Sequence, residues 1–273
     1  MKDDLGDRMK EYEGAFAKRR LDPLMPTIAR IDGRTFSKFT KGFQKPFDKL
    51  ITDAMNDTTK ALVHKTHADI GYVQSDEITL IWRPQENPES SMFFDWREQK
   101  LVSVLASMAA AEFNWSLIEG LMLDRRDRLK INVQMQRPHF DCRVWSVPDK
   151  DEATNTLLWR AQDARRNAIT SFCQQYVSHK ALQGLNQQAM LNAAYDNAAP
   201  DINSAVSVDD LYGRYFQRVV EERQLSEEEW LKIPSHNRPP RSLTYTRSMV
   251  KQIPSIGHLG DMSHEARKNL VFR

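Results

Sequence analysis

The sequence predicts an α+β protein built on a ferredoxin-like β-α-β-β-α-β unit, with a four-stranded antiparallel sheet and two helices on one face. Three observations predict it. A short apolar strand at residues 27–32 ends in Asp-Gly, and two apolar runs within 71–82 meet at a turn. Long segments between these strands carry apolar residues at helical spacing. Each such helix must bury one apolar stripe, and the sheet is the available partner.

The elements follow in order along the chain. Residues 5–20 predict an amphipathic helix with Leu5, Met9 and Tyr12 on one side. Asp48 is suited to cap a helix that ends near His67. After the hairpin, we expect a helix at about 97–119, a strand at 140–147 and a third helix at about 152–179.

The pattern weakens after residue 180. Residues 185–195 and 209–223 have helical spacing, and residues 231–250 are basic, contain no acidic residue and are interrupted by prolines. We therefore predict a domain at 1–180, which includes the N-terminal helix. A mostly helical and irregular extension at 181–273 would pack on it.

Composition narrows the class of protein. With 273 residues and 40% hydrophobic residues, a packed core is expected. The net charge of +2 neither requires nor excludes a nucleic-acid partner. Cys142 and Cys173 form no CxxC pair and are interpreted as buried, reduced thiols. There is no signal-peptide pattern, and no apolar run approaches the ~20 residues of a membrane span. The expectation is a soluble, cytoplasmic protein with no membrane partner.

Two acidic positions fall at matching places in the predicted unit. Asp32 ends the first strand, and Asp76, followed by Glu77, lies at the tip of the hairpin. Because these strands are neighbours in a β-α-β-β-α-β sheet, the two carboxylates are expected at the same edge. Paired carboxylates suit magnesium, which also keeps phosphate oxygens in its shell. Gly33 lacks a Cβ and would let a phosphate or ion approach the backbone closely.

Four further side chains near this edge can hydrogen-bond or neutralise a triphosphate: Arg34, Ser37, Lys45 and Ser75. Asp-Gly after a strand and Ser-Asp-Glu in a hairpin are also ordinary turn chemistry, so a structural role stays open at this point. Spacing and periodicity alone lead to a metal-dependent phosphoryl or nucleotidyl transferase.

Several blocks of the sequence resemble a known family. They read Ile31-Asp32-Gly33-Arg34-x-Phe36, then Phe43-x-Lys45-Pro46-x-Asp48, Gly71-Tyr72-x-Gln74-Ser75-Asp76-Glu77, Phe140-Asp141-x-Arg143-Val144 and Trp159-Arg160-x-x-Asp163-Ala164-x-Arg166-Asn167. In this order they resemble the signature blocks of the tRNA-histidine guanylyltransferase family over about residues 25–180.

The resemblance implies a polymerase-palm fold and an enzyme that adds nucleotides to the 5′ end of tRNA, in the 3′–5′ direction. It implies two Mg²⁺ ions held by Asp32, the carbonyl of Gly33 and Asp76, with GTP and ATP as substrates. The acidic residues Asp32, Asp76 and Glu77 would be catalytic. The nucleotide would be bound by Asp32, Gly33, Arg34, Thr35, Phe36, Ser37, Lys45, Ser75 and Asp76. A homotetramer is also implied.

One block departs from the eukaryotic branch of that family. Where that branch has His-Ile-Asn-Asn-Leu-Tyr-Asn, residues 165–171 read Arg-Arg-Asn-Ala-Ile-Thr-Ser, and only Asn167 is shared. The pattern resembles the bacterial and archaeal branch, which implies repair of truncated tRNA 5′ ends as well as guanylylation. Contacts to the triphosphate or the RNA are expected from Arg30, Arg160, Arg165, Arg166 and Asn167.

Two other hypotheses compete with a tRNA nucleotidyltransferase. A nucleotide cyclase of similar palm architecture would form a cyclic product without RNA. An RNA-binding protein without catalysis would need no metal at Asp32 and Asp76, although two adjacent carboxylates would repel an RNA phosphate unless a cation lay between them. The basic segment 231–250 could contact an RNA backbone in either RNA-binding case.

Overall fold

A six-stranded antiparallel sheet forms the frame of the molecule in the computed structural model, which describes residues 4–86, 93–123, 137–254 and 256–272. Its strands are β1 Thr27–Gly33, β2 Ile70–Gln74, β3 Glu77–Trp82, β4 Phe140–Ser146, β5 Arg214–Gln224 and β6 Thr244–Ile253. Their order across the sheet is β4-β1-β3-β2-β5-β6. The first four positions have the order of a ferredoxin-like unit, so the predicted core topology is confirmed.

Two long helices pack on one face of this sheet, as predicted. They are α3, Lys49–Thr66, and α4, Glu98–Leu123. Asp48 caps α3 by accepting a hydrogen bond from the backbone N–H of Leu50. The two helices share one hydrophobic core with Ala29 and Leu80 of the strands.

Helix α4 is the one helix in the described ranges that is long and apolar enough to cross a membrane by length and composition. The expectation that no segment would qualify was therefore wrong on those two criteria. A core helix passes the same test, and the buried residues of α4 recur at every fourth position: Leu101, Leu105, Ala109, Phe113, Leu117 and Leu121. This stripe is the face that packs into the core beside the sheet.

The opposite face of the sheet is covered by the third long helix, α5, Lys150–Cys173. Ala153, Leu157 and Ala161 of α5 share a second hydrophobic core with Ile28 and Tyr72 of the strands. The helix ends six residues before the predicted end at His179. Because α5 lies opposite α3 and α4, the central strands β1, β2 and β3 are buried on both faces.

The N-terminal helix α1, Asp4–Ala17, forms where it was predicted and ends three residues earlier. Its expected apolar face does not pack, because Leu5, Met9 and Tyr12 are all exposed. A short helix, α2, Phe36–Phe39, follows β1 directly. Cys142 and Cys173 are both free cysteines, and Cys173 is buried as predicted, whereas the prediction that Cys142 is buried was wrong, because its strand side chain is only partly covered.

The C-terminal part begins with four short helices against the end of α5. These are α6 His179–Leu182, α7 Gln187–Asp196, α8 Ile202–Ala205 and α9 Val208–Tyr212. The helix predicted at 185–195 is thus confirmed as α7. The helix predicted at 209–223 was wrong after Tyr212, because β5 starts at Arg214 and pairs with β2. The sheet therefore continues across the predicted boundary at residue 180.

Strand β5 is longer than its partner in the sheet. Only residues 214–217 pair with β2, whereas pairing with β6 continues as far as Gln224 and Thr244. We call residues 218–250 the β5–β6 arm. Its connection contains α10, Glu227–Lys232. The chain then ends on α11, His264–Val271, whose Leu270 carbonyl accepts a hydrogen bond from Gln217.

Candidate active site

Side chains along β1 alternate between the two faces of the sheet, and this alternation separates the core beneath α3 and α4 from the acidic end of the strand. Ala29 and Ile31 face α3 and α4, whereas Ile28 faces α5. Because side chains alternate along a strand, Arg30 and Asp32 lie on the α5 side together with Ile28. Asp32 is opposite Glu77 of β3 and Asp141 of β4 in the two neighbouring pairings. The acidic end of β1 therefore opens towards α5.

The Asp76 carboxylate lies against the backbone of Gly33. The Gly33 N–H donates to the carbonyl oxygen of Asp76 at 3.0 Å. A Cβ on Gly33 would be 2.9 Å from the Asp76 Cβ, 3.0 Å from its Oδ2 and 2.5 Å from the ring of Phe36. Only glycine permits this approach, so the convergence of Asp32 and Asp76 depends on Gly33, the last residue of β1.

The ionised forms of both carboxylates are disfavoured in the folded chain. Burial, followed by the charge of Asp32, raises the pKa of Asp76 to about 6, although hydrogen bonds from its own backbone and from Ser75 act in the opposite direction. The pKa of Asp32 is also raised, first by burial and then by Asp141, against the lowering effect of Arg30. Such a site favours an added positive charge.

The described residues contain no cluster of three or more His, Cys, Asp or Glu side chains of the kind that holds a metal by itself. This does not argue against magnesium, which is usually bound through one or two carboxylates with phosphate and water completing its shell. Asp32, Asp76 and the Gly33 carbonyl supply only hard oxygen donors, so they fit that ion.

A cavity of about 680 Å³ opens beside the two carboxylates. This volume lies within the ~300–1,000 Å³ range of sites for small molecules and cofactors. Most of the sequence-predicted site residues line it: Asp32, Gly33, Thr35, Phe36, Ser37, Lys45, Ser75, Asp76, Glu77, Arg160 and Asn167.

The wall opposite the carboxylates was predicted from the sequence only in part, through Arg160 and Asn167. Helix α5 and its C-cap residue contribute four side chains to the cavity, spaced three or four residues apart: Asp163, Asn167, Thr170 and Gln174. This spacing gives one polar face over about 16 Å of helix. The periodicity is visible in the sequence, where it indicates a solvated face equally well. Asp209, Asp210 and Arg214 line the cavity from α9 and the start of β5.

Glu77 lines the cavity but is held by arginines. Its Oε1 accepts from the Arg160 Nε at 2.6 Å, and its Oε2 lies 3.8 Å from the Arg30 Nε. Burial raises the pKa of Glu77 despite these two positive neighbours. Its carboxylate is thus turned towards guanidinium groups, unlike those of Asp32 and Asp76.

The loop before α3 shapes the cavity around Lys45. The Asp48 side chain accepts from the backbone N–H of Gln44 at 2.8 Å and from that of Leu50 at 2.9 Å. The Lys45 Nζ is 3.5 Å from the Thr40 Oγ1. At the hairpin, Ser75 has a left-handed backbone with φ of 52° and donates from its hydroxyl to Asp76 Oδ1 at 3.1 Å. Both loops are therefore held by their own side chains.

Four of the predicted basic contacts do not line the cavity. Arg34 is exposed. Arg165 instead donates to the Tyr212 hydroxyl at 3.3 Å and to Gln187 at 2.7 Å, so it packs α5 against α7 and α9. Arg166 is exposed and donates to Asp163. Arg30 stacks over the ring of Trp159 at 5.8 Å.

The basic segment 231–250 lies in the β5–β6 arm, and none of its residues lines the cavity. The guanidinium groups of Arg238 and Arg241 lie over the ring of Trp230, at 4.6 and 4.5 Å. Both arginines are therefore held by aromatic contact on the surface of the arm.

A palm-type sheet with paired carboxylates at its edge, beside a cavity of nucleotide size, is the architecture of a nucleotidyltransferase. The family model described as tRNAHis guanylyltransferase (Thg1) matches residues 6–148. The chain belongs to this family of nucleotidyltransferases, so the predicted family and class of enzyme are confirmed.

Individual relatives agree with this assignment. The tRNA(His) guanylyltransferase of Schizosaccharomyces pombe is 31% identical over 59% of this chain and 56% of its own length. A bacterial tRNA(His) guanylyltransferase-like protein in complex with ATP is 29% identical, with a TM-score of 0.73 over 98% of this chain and all of its own. A second solved structure of a bacterial tRNA(His) guanylyltransferase-like protein, in complex with GTP, is 26% identical, with a TM-score of 0.70 over 99% of this chain and all of its own.

Proposed function

We propose that this chain is a magnesium-dependent nucleotidyltransferase that extends the 5′ end of tRNA, by one guanosine or by several templated nucleotides. Chain growth would run in the 3′–5′ direction, with GTP and ATP as substrates. The observation that carries the proposal is the convergence of Asp32 and Asp76 over Gly33 at one end of a nucleotide-sized cavity. The relatives named above, one bound to ATP, another to GTP and a third named for tRNA(His), support it.

In this proposal Asp32, Asp76 and the carbonyl oxygen of Gly33 hold two Mg²⁺ ions. When bound, these ions would neutralise the triphosphate and favour an in-line displacement that releases pyrophosphate. The chain itself supplies the buried carboxylates, and the raised pKa of Asp76 supports a cation as their missing partner. Glu77, held by arginines, would position this edge of the site.

The nucleotide would lie along the cavity, with its phosphates near the carboxylates. The turn of residues 32–37, Lys45 and Ser75 would surround the triphosphate. Backbone N–H groups in such turns and a lysine point charge are both suited to phosphate oxygens. The polar face of α5, which includes Asn167, would contact the rest of the nucleotide or the RNA end. Arg34 is exposed close to the site and would meet the tRNA 5′ end.

The remaining proposals concern the whole protein. We propose that Arg166 and the arm contact RNA and that Arg165 supports helix packing instead. We also propose a cytoplasmic location, and we propose a homotetramer from the family resemblance alone. We further propose repair of truncated tRNA alongside guanylylation of tRNA(His), from the resemblance of residues 165–171 to the bacterial and archaeal branch.

The test is incorporation of labelled GTP into 5′-mature and 5′-truncated tRNAs in the presence of ATP and Mg²⁺. We expect a product extended at its 5′ end, and its loss in Asp32→Asn and Asp76→Asn. Absence of incorporation with every tRNA, or full incorporation by Asp76→Asn, would contradict the proposal. Formation of a cyclic nucleotide without RNA would indicate the cyclase instead, and RNA binding indifferent to Mg²⁺ would indicate a non-catalytic binder.

A further inference from the structure

A buried guanidinium joins two walls of the cavity. Arg160 is only 4% exposed. Its Nε donates to Glu77 at 2.6 Å, and its Nη2 donates to Asp163 at 2.5 Å. Glu77 begins β3 directly after Asp76, whereas Asp163 begins the polar face of α5. One side chain therefore connects the hairpin that carries Asp76 to the opposite wall.

The charges around Arg160 alternate in sign. Arg30 lies on the far side of Glu77, and Arg166 donates to Asp163 on the other side. The guanidinium carbon of Arg160 also lies 4.3 Å from the centroid of the Trp159 ring. The plane of this guanidinium is thus fixed by two carboxylates and one aromatic ring.

The chemistry of arginine suits this place. A planar guanidinium presents N–H donors in fixed directions and can hold two carboxylates at once, whereas a lysine ammonium is a point charge on a flexible stem. A buried charge pair is also sensitive to loss of either member, because the remaining charge is then unpaired. The Glu77 and Asp163 side chains are only 13% and 19% exposed, so loss of Arg160 would leave each carboxylate with one arginine neighbour, Arg30 or Arg166, and with no link between the two.

We infer that Arg160 is a positioning residue, which sets the hairpin carrying Asp76 against the polar face of α5 by holding Glu77 and Asp163 together. This inference rests on the proposed function and deepens it. It replaces the sequence-based expectation that Arg160 contacts the triphosphate or the RNA. The two roles differ in a measurable way, because positioning acts through Glu77 and a phosphate contact does not.

A double-mutant cycle of Arg160→Gln and Glu77→Gln tests the inference. Each single change is expected to lower kcat for guanosine incorporation by about 100-fold, since small displacements of reacting groups cost about this much. The kcat of the double variant should be no lower than that of the less active single variant, because both changes break the same link. Effects that multiply in the double variant would overturn the inference.

Arg160→Lys gives a second, independent measurement. It keeps the positive charge and would largely preserve a direct phosphate contact, but it cannot hold both carboxylates. We expect its kcat to lie within about threefold of that of Arg160→Gln, well below wild type. Recovery of wild-type kcat, with only a raised KM for GTP, would overturn the positioning role. Arg160→Lys can also replace Arg160→Gln in the cycle if the latter does not fold.

Arg83→Lys is the matched control for simple loss of stability. The Arg83 Nε donates to the buried carboxylate of Asp69 at 2.6 Å, at the other end of β3 and outside the cavity lining. It should lower Tm while leaving kcat unchanged. An equal loss of kcat in Arg83→Lys and Arg160→Lys would reduce Arg160 to a structural residue.

The same cycle measured on the Kd of Mg²⁺·GTP separates this inference from the proposed function. If the wild-type protein incorporates no nucleotide into tRNA, the proposed function fails. Non-additive losses of GTP affinity in the Arg160 and Glu77 variants would still support positioning, and additive losses would still overturn it.

Discussion

At the scale of single residues, the Asp32–Asp76 pair lowers the stability of the metal-free fold and provides a place to bind a cation. The pKa of Asp76 is raised from 3.8 to about 6 in the folded chain. A carboxyl group whose folded pKa is raised stabilises the fold below its unfolded pKa, and this contribution is lost as the pH rises through about 6. At pH 7.5 without metal, ionised Asp76 is therefore a destabilising group, on the order of 1–3 kcal/mol.

The first prediction follows from the destabilising effect of ionised Asp76. Asp76→Asn should raise the Tm of the metal-free protein at pH 7.5, because the amide removes the disfavoured charge and keeps the shape. At pH 5 this gain in Tm should be about half as large, because Asp76 is by then mostly protonated in the folded chain but still ionised in the unfolded one, and the gain should vanish only below the unfolded pKa of 3.8. Incorporation of GTP by the variant should fall by at least ~100-fold. Thermal denaturation in EDTA at the two pH values and a tRNA extension assay check the three parts.

The control for that prediction is Asp53→Asn on α3. Asp53 is a half-exposed carboxylate in an i,i+4 pair with Lys49, away from the cavity lining. Its replacement should change neither activity nor the pH dependence of Tm. If Asp76→Asn lowered Tm by the same amount at pH 7.5 and at pH 5, ionised Asp76 would not be a destabilising group. The proposed cation site would then lose its support.

The second prediction concerns the affinity for Mg²⁺·GTP as a function of pH. Protons compete with the metal at Asp76, whose pKa of about 6 in the metal-free chain lies close to neutrality. Between pH 7.5 and pH 5 the affinity should therefore fall about tenfold, since about a tenth of Asp76 is ionised at pH 5. Calorimetric titration checks this, and it should also detect proton release on binding. An affinity that does not change over this range would contradict it.

At the scale of elements, the short passage from α9 into β5 controls one wall of the cavity. Gly213 lies between them with φ of 84°, and a Cβ there would be 2.3–2.5 Å from the ring of Tyr72. The Tyr72 hydroxyl donates to the Tyr212 carbonyl at 2.9 Å, which brings this turn onto the sheet. The position of Arg214 in the cavity wall depends on that contact.

The third prediction compares two glycines that both have a positive φ. Gly213→Ala and Gly184→Ala both place a side chain at positive φ, which costs about 1–2 kcal/mol. Gly184 has open space around it, whereas Gly213 meets Tyr72. Gly213→Ala should therefore destabilise the protein further and raise the KM for GTP, and Gly184→Ala should leave the KM unchanged. Chemical denaturation and steady-state kinetics measure both, and equal effects would contradict the role of the Tyr72 contact.

The same stretch shows why β5 was not predicted. Leu211, Tyr215, Phe216 and Val219 recur at intervals of three and four, which is the spacing of a helix. In the structure they are divided between α9 and β5. Gly213 is the break between the two elements, and the residues after it are rich in aromatic and β-branched side chains, which favour a strand. These local signals were outweighed by an accidental helical period.

At the scale of the whole molecule, the sheet does not stop at the boundary predicted at residue 180. Strand β2 is buried along its whole length and pairs with β5 on one side. Tyr215 and Phe216 of β5 are buried, one in each of the two main hydrophobic cores. Removal of residues 181–273 would expose these cores and leave β2 as an open sheet edge.

The fourth prediction is that residues 1–180 do not form a stable, soluble domain by themselves. The apolar edge of β2 should drive association of this fragment, in contrast to the full chain. Size-exclusion chromatography and far-UV circular dichroism of both proteins check this. A monomeric fragment that melts cooperatively near the Tm of the full chain would instead support an independent domain that ends at residue 180.

How much of the site the sequence predicts depends on how local each contact is. Asp32, Gly33 and Asp76 were predicted because strand pairing alone brings them together. Arg165 was expected near the RNA, but it turns to Gln187, a contact that depends on where α7 packs. Asp209 and Asp210 line the cavity through a short helix whose position no periodicity encodes. Side chains brought in by tertiary packing of short elements were therefore missed.

The position of β1 between two other strands of the sheet has a consequence for how the molecule unfolds. This strand is paired along its length with β3 on one side and β4 on the other, and it is covered on both faces. Amide hydrogens at 28–32 should consequently exchange with solvent only when the entire chain unfolds, whereas those of the β5–β6 arm should exchange through local opening. Asp32 is thus attached to the slowest-exchanging segment, and heating should abolish its cation site in the same transition that abolishes the fold.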